Sequence, residues 1–273
     1  MNFIREPVYK EIIIDTILNS DLRNSFIKKH PNSNHKLDDL IDSIIYVLKS
    51  GISWRLFIGN INWNTLYQHF RRFTKYGIFI TAHNKILNNY VNKNKENLET
   101  QITDTTFILN KNGRENIERN KLVKNKNCNK ISILTDIKGL PLDVIIKEGN
   151  IHDSQFVEEH IMNIQNSGYN NGLQNKEFLA DAAYDSKKIR QLLEIYNYKP
   201  KIPINKRNSK KDIDKIKHKN KSVKNTNNKR IKVEHSFSEL KRFKKIDKRY
   251  DVLINSFMSF VYMAISIMII RRL

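Results

Sequence analysis

Cysteine is almost missing from this 273-residue chain: the lone Cys128 excludes an internal disulfide and any cysteine-based zinc finger, and fits a reducing compartment. Acidic residues are also short, 28 against 49 Lys and Arg, which leaves a formal charge of +21. That field attracts a polyanion over about 8 Å, the Debye length in physiological salt, so nucleic acid is the expected partner. A coding bias toward Lys, Asn and Ile accounts for part of the excess. The opening MNFIREPVYKEIIIDTI scatters charge among its apolar residues and offers no apolar core followed by a small-residue cleavage site. No signal peptide is expected, and the chain reads as cytoplasmic and nucleoid-associated. One uncharged run, Val252 to Ile270, approaches the length that spans a bilayer. Asn255, Ser256, Ser259 and Ser266 interrupt it, which favours a buried closing helix and no membrane.

A hydrophobic content of 39% is enough for a real core, and the length suits a small domain followed by a larger one. Residues 8 to 93 read as helical. Leu37, Leu40, Ile41, Ile44, Ile45 and Leu48 keep the spacing of an amphipathic helix that Gly51 ends. A second helix is expected from Asn64, as N-cap, to Lys75, burying Leu66, Phe70 and Phe73 and leaving Gln68, His69, Arg71 and Arg72 available; Gly77 stops it. Two such helices resemble a helix-turn-helix, so residues 1 to 95 are expected to form a helical DNA-binding domain, with Arg71 and Arg72 on phosphate. Any small bundle gives the same pattern. Trp54 and Trp63 read as core of this part.

From residue 99 the period shifts toward strands: 101 to 109, 131 to 137 and 141 to 149, the last two a hairpin around Lys138-Gly139-Leu140. A helix follows at 153 to 167, capped by Asp153 or Ser154, then a strand at 177 to 184, a helix at 186 to 197 capped by Asp185 or Ser186, and a strand at 199 to 205. Strand, strand, strand, helix, strand, helix, strand, helix is the order of the ribonuclease-H-like fold, so an α/β class with a mixed sheet flanked by helices is expected for residues 96 to 273. Residues 206 to 230 form a basic loop; Lys206 and Arg207 open it and Arg230 closes it, placed to track a nucleic-acid backbone.

Three carboxylates stand out against these elements. Asp104 sits mid-strand among Ile102, Thr103, Thr105, Thr106 and Phe107, where neither exposure nor strand propensity explains a charge. Asp181 closes the apolar stub Phe178, Leu179, Ala180 at a strand's carboxyl end, where open α/β sheets place their sites. Glu234 lies beside the stripe Val233, Phe237, Leu240, and at about 100° per residue Arg230, Glu234 and Lys241 share one helical face. Mg²⁺ or Mn²⁺ takes hard oxygen ligands, and a pair of ions about 3.5 to 4 Å apart needs a bridging carboxylate, which such a trio can supply. Each acid alone reads equally well as a strand-end charge, a helix-preceding cap or a surface residue. Asp136, before Lys138-Gly139, reads as a turn former, and His152 and His235 are open to a DNA contact.

Taken together the segments resemble the bacterial insertion-sequence DDE transposases of the group named after insertion sequences four and five. The matching pieces run in order: SGISWRLF, WNTLYQHFRRFTKYGIF, ITDTTF around Asp104, LTDIKGLPLDVIIKEGNIHDS, LADAAYDS around Asp181, and RIKVEHSFSELKRF around Glu234. They cover roughly residues 37 to 273. The resemblance implies a DNA transposase in which Asp104, Asp181 and Glu234 are catalytic and hold two Mg²⁺ or Mn²⁺ ions, while Arg230 and Lys241 contact phosphate. It further implies double-stranded DNA, as element ends and target, for partner and a homodimer in a paired-end complex. Two departures stand out: Asn227 occupies a position where the wider signature has a tyrosine, and the Trp-Arg-x-Leu-Pro pattern has lost its proline around Arg55 to Phe57. A ribonuclease-H-like nuclease without strand transfer, or a degenerate copy kept as a DNA-binding protein, are the alternatives.

Overall fold

A computed structural model of the chain describes residues 6–24, 35–174, 176–205 and 227–273. Lys206, Arg207 and the basic run as far as residue 226 lie outside the described residues. By mutual contacts the chain divides into two units, one of Met1–Tyr90, Leu109–Glu115 and Glu239–Leu273, the other of Val91–Ile108 and Asn116–Ser238. Against the single boundary expected after residue 95, this grouping counts the closing helices with the N-terminal ones.

The first unit is helical: α1 (Glu6–Leu18), α2 (Leu37–Ser50), α3 (Trp63–Lys75) and α4 (Ile78–Lys93, up to Tyr90 in this unit). The amphipathic stripe of α2 is buried, Asp38 and Asp39 sit in its first turn where the helix dipole favours acids, and Gly51 ends it with φ +68°, its N–H on the Val47 carbonyl. A Cβ on Gly51 would also lie 2.8 Å from that of Lys244, so only glycine serves there. The cap of α3 lies two residues earlier than expected, at Asn62 and not Asn64: its side chain accepts from the Asn64 N–H. Leu66, Phe70 and Phe73 are fully buried as expected.

The chain returns to this unit with α8 (Lys244–Asp247), β7 (Lys248–Arg249) and α9 (Ile254–Ile270). The uncharged run is this last helix, and it is core: Phe260 stacks on Phe70 at 4.5 Å, and Trp54 adjoins both rings. Two of its polar residues are satisfied inside the protein. Ser259 meets Thr74 at 3.1 Å, and Ser266 meets His83 Nδ1 at 3.1 Å while also bonding the Tyr262 carbonyl. Among the described residues no helix is long and apolar enough to cross a membrane.

The second unit carries the sheet, built from β1 (Thr100–Asn110), β2 (Glu118–Asn120), β3 (Lys126–Thr135), β4 (Pro141–Glu148), β5 (Lys176–Leu179) and β6 (Tyr198–Lys201). Only the last two residues of β1, Leu109 and Asn110, belong to the first unit, where they pair with β7. β3 pairs antiparallel with β2 at its start and with β4 over the rest, while β1, β5 and β6 run parallel. The order β4-β3-β1-β5-β6, antiparallel on one side and parallel on the other, is that of a ribonuclease-H-like sheet. Helix α5 (Val157–Asn166) packs on β4 and α6 (Lys187–Ile195) on β6. Helix α7 (Asn227–Lys241) crosses from this unit into the other after Ser238.

Several expected boundaries move for local reasons. The strand expected at 177 to 184 stops at Leu179, because Asp181 caps a 3₁₀ turn, Ala182–Tyr184. The helix expected from 153 opens as a 3₁₀ turn, Asp153–Phe156, capped by the His152 ring and not by Asp153 or Ser154. Ser186 caps α6, while Asp185 instead binds Arg190 and the Asn205 N–H. Asp136 does form the hairpin turn: its Oδ1 accepts from the N–H groups of Lys138 and Leu140.

Candidate active site

Strand pairing brings the first two acids near each other. β1 and β5 pair in parallel up to Ile102 opposite Leu179, and two residues beyond that last pair the two segments carry Asp104 and Asp181, whose charges act on each other. Neighbouring strands lie about 4.8 Å apart and residues of the same parity share a face. The Asp181 Oδ1 accepts the Ala183 N–H at 2.7 Å, so the carboxylate that caps the turn is held still by that same bond.

Asp104 is less comfortable. Its side chain is 22% exposed, its Oδ1 takes the Thr105 N–H at 2.8 Å, and its Oδ2 lies 3.7 Å from the Arg230 guanidinium. Burial pushes its carboxyl up to about 6, helped by the charges of Asp181 and Asp153 and opposed by the Thr105 N–H and Arg230. An acid that resists ionisation beside a second acid is a site that gains from a cation.

Helix α7 supplies Arg230 and, one turn later on the same side, Glu234. The helix is tied to the β3–β4 hairpin. Gly139 has φ +79°, a Cβ there would lie 2.6 Å from the Lys232 carbonyl oxygen, and the Ser236 hydroxyl donates to the Gly139 carbonyl. Glu234 itself is exposed. Among the described residues no three His, Cys, Asp or Glu side chains converge closely enough to hold one metal ion. Asp104 and Asp181 thus fit as two hard-oxygen arms of a Mg²⁺ or Mn²⁺ site, and Glu234 stands on the neighbouring helix outside such a cluster.

The remaining expected residues are spread out. Lys241 ends α7, in the helical unit, with its ammonium made less basic by burial. Arg71 and Arg72 are exposed on α3, where with Gln68, His69 and Lys75 they line an open concavity of about 630 Å³. Asn227, at the tyrosine position, opens α7. His235 is exposed.

Reading along the sequence missed the support behind Asp104. Asp153 does not cap a helix: its Oδ1 takes Lys130 Nζ at 2.8 Å and Thr105 Oγ1 at 2.9 Å. The one available signal was Lys130 itself, a charge among strand residues that alternate into the core. A second brace joins Asp143, His160 and Ser132, with His160 Nδ1 2.6 Å from Asp143 and Nε2 2.8 Å from the Ser132 hydroxyl. The connectivity is that of a hydrolase triad, yet Ser132 and His160 are fully buried and Ser132 lies 3.4 Å from the Asp104 carbonyl. A nucleophile with no access to solvent attacks nothing, so the trio steadies β1.

Comparison with known proteins follows the same lines. The family model described as "Transposase DDE domain" matches residues 96–269. Among solved structures, the cryo-EM piggyBac transposase synaptic complex with hairpin DNA aligns with 99% of this chain and 75% of its own, at a TM-score of 0.54 and 10% identity, a likeness of fold. Two Mos1 transposase structures align over 81% and 88% of this chain and 78% and 87% of their own. One is a paired-end complex with the left transposon end, at 8% identity; the other is a mariner paired-end complex with Mn, at 11%. Their TM-scores of 0.28 and 0.29 are too low to speak for a shared fold. No curated protein matches the chain.

Proposed function

The chain belongs to the DDE transposase family, and on that premise we propose that it cleaves the ends of an insertion sequence of the group named after insertion sequences four and five, then joins the freed strand to target DNA. The observation that supports this reading is the parallel pairing of β1 with β5, which ends two residues short of Asp104 and of Asp181, with Arg230 at 3.7 Å from the first. In it Asp104 and Asp181 would hold Mg²⁺ or Mn²⁺, Glu234 would join them as third acid once α7 closes on bound metal and DNA, and two such ions would supply an activated water and charge stabilisation for the departing 3′ oxygen.

The chain's own side chains then do the positioning. Asp181 is fixed by the Ala183 N–H and Asp104 by the Thr105 N–H, so neither has to reorganise as charge develops. Arg230 exchanges Asp104 for a phosphate oxygen once DNA arrives, with Lys241 further along the same helix. Water adds to phosphorus, the bond to the 3′ oxygen breaks, and that oxygen leaves as the 3′-OH; the same hydroxyl next attacks a target phosphodiester and displaces its 3′ oxygen. Arg71 and Arg72 on α3 hold duplex DNA, Lys206 and Arg207 track its backbone, and two copies pair two ends at the nucleoid.

The test is nicking of end-containing DNA in Mg²⁺. Asp104→Ala, Asp181→Ala and Glu234→Ala should each abolish cleavage and spare DNA binding, and a pre-nicked end should be joined to target by the unaltered chain. Cleavage by Asp104→Ala would sink the assignment. Cleavage without joining would favour a nuclease.

A further inference from the structure

Asp153 is a third aspartate close to the pair, and the chemistry just described makes no use of it. It opens the 3₁₀ turn Asp153–Phe156, which packs against the turn Ala182–Tyr184 that Asp181 caps. Successive strand residues leave opposite faces, so Thr105 departs from the side of β1 opposite Asp104. There its hydroxyl donates to Asp153 Oδ1.

The cation bound to Asp153 comes from inside the sheet. Lys130, on β3, has a side chain only 7% exposed; besides the Asp153 bond it donates to the Ile151 carbonyl at 2.6 Å and lies 4.9 Å from the Phe107 ring centre. A lysine so buried is retained only where it is paired. Asp153 is 27% exposed at its side chain, and its bond to Thr105, the residue next to Asp104, sets its charge one residue away from the pair. It reaches the buried Tyr184 hydroxyl as well.

We infer that Asp153 and Lys130 form a positioning pair: they grip β1 from behind through Thr105, and their balance of charge sets how tightly Asp104 and Asp181 hold a divalent cation. The inference rests on the reading of Asp104 and Asp181 as cation ligands. Two opposite charges a few ångströms apart largely cancel at the site, so removing either one exposes the other, with opposite signs.

Mn²⁺ titration of the purified full chain, followed by the electron paramagnetic resonance of the free ion, separates this from a bracing role. Asp153→Asn keeps the shape and leaves the lysine uncompensated; Mn²⁺ affinity should fall about three- to tenfold. Lys130→Met leaves the carboxylate uncompensated, and affinity should rise by a similar factor. In the double variant, which buries no charge, affinity should return to within about twofold of the unaltered chain. The double variant also decides the matter if Lys130→Met fails to fold, because a brace would leave it as weak as Asp153→Asn or weaker. Two single variants that both weaken Mn²⁺ binding, while Asp104→Ala abolishes it, overturn the positioning pair and leave the site intact. Absence of Mn²⁺ binding by the unaltered chain overturns both.

Discussion

Asp104 and Glu234 carry the same group in opposite circumstances. The first is mid-strand, mostly buried and flanked by other acids; the second stands exposed on a helix. Asp104 and Asp181 each follow, two residues on, the last paired residues of β1 and β5, whereas the place of Glu234 depends on one close approach of α7 to the hairpin turn at Gly139. On the proposed reading the sheet provides two ligands, and the helix has to bring the third by docking. The difference predicts where the site is rigid and where it is easily broken.

The largest effect should come from the sheet side. Asp104→Asn or Asp181→Asn should lower the rate of DNA nicking at least about 10³-fold, with duplex binding in a gel-shift assay unchanged. Next comes the docking point. Gly139→Ala puts a Cβ against the Lys232 carbonyl in a backbone region that alanine resists, and should cost about 1 to 3 kcal/mol in thermal or denaturant unfolding, with a loss of nicking beyond that of a stability-matched control. Ser236→Ala, which removes the hydroxyl's bonds to the Gly139 and Lys232 carbonyls, should cost about 1 kcal/mol. Equal nicking by Gly139→Ala and the unaltered chain would mean that the hairpin does not set the helix.

pH distinguishes the two acids next. With its carboxyl raised from 3.8 to about 6, folded Asp104 holds a proton more tightly than the unfolded chain does. Its contribution to stability is therefore fully present below about 4 and is lost as pH rises toward 6. Melting in a chelating buffer should show this slope for the unaltered chain and not for Asp104→Asn. Because a divalent cation competes with the same proton, Mn²⁺ affinity should weaken as pH falls below about 6. The smallest effect is expected at the helix: Glu234→Gln should leave cation-free stability within about 0.5 kcal/mol, while Asp104→Asn at neutral pH should raise it. A destabilised Glu234→Gln would show that this acid is part of the fold.

Much of this was legible before any coordinates. The stripe of α2 with its glycine stop, the closing helix, the hairpin and the order of strands and helices all come from spacings within a dozen residues. The acids Asp104 and Asp181 stood out for the same reason, as charges where the local pattern calls for apolar side chains. Caps were harder: Asn62 for Asn64 and His152 for Asp153 are choices between neighbours that sequence spacing barely separates. Asp153 was unreadable as a partner of Lys130 and Thr105, because they lie 23 and 48 residues away along the chain.

By itself, then, the sequence determined which elements form and which face each side chain takes, since helix and strand periods are properties of adjacent residues. Only tertiary structure decided which distant segments meet. Parallel pairing of β1 with β5 brings together the segments that carry Asp104 and Asp181, and a glycine with no Cβ lets a helix backbone close on a turn. Contacts with the N-terminal helices gather residues 239–273 into their unit. Each of those outcomes depends on shape and packing between segments that no local pattern encodes.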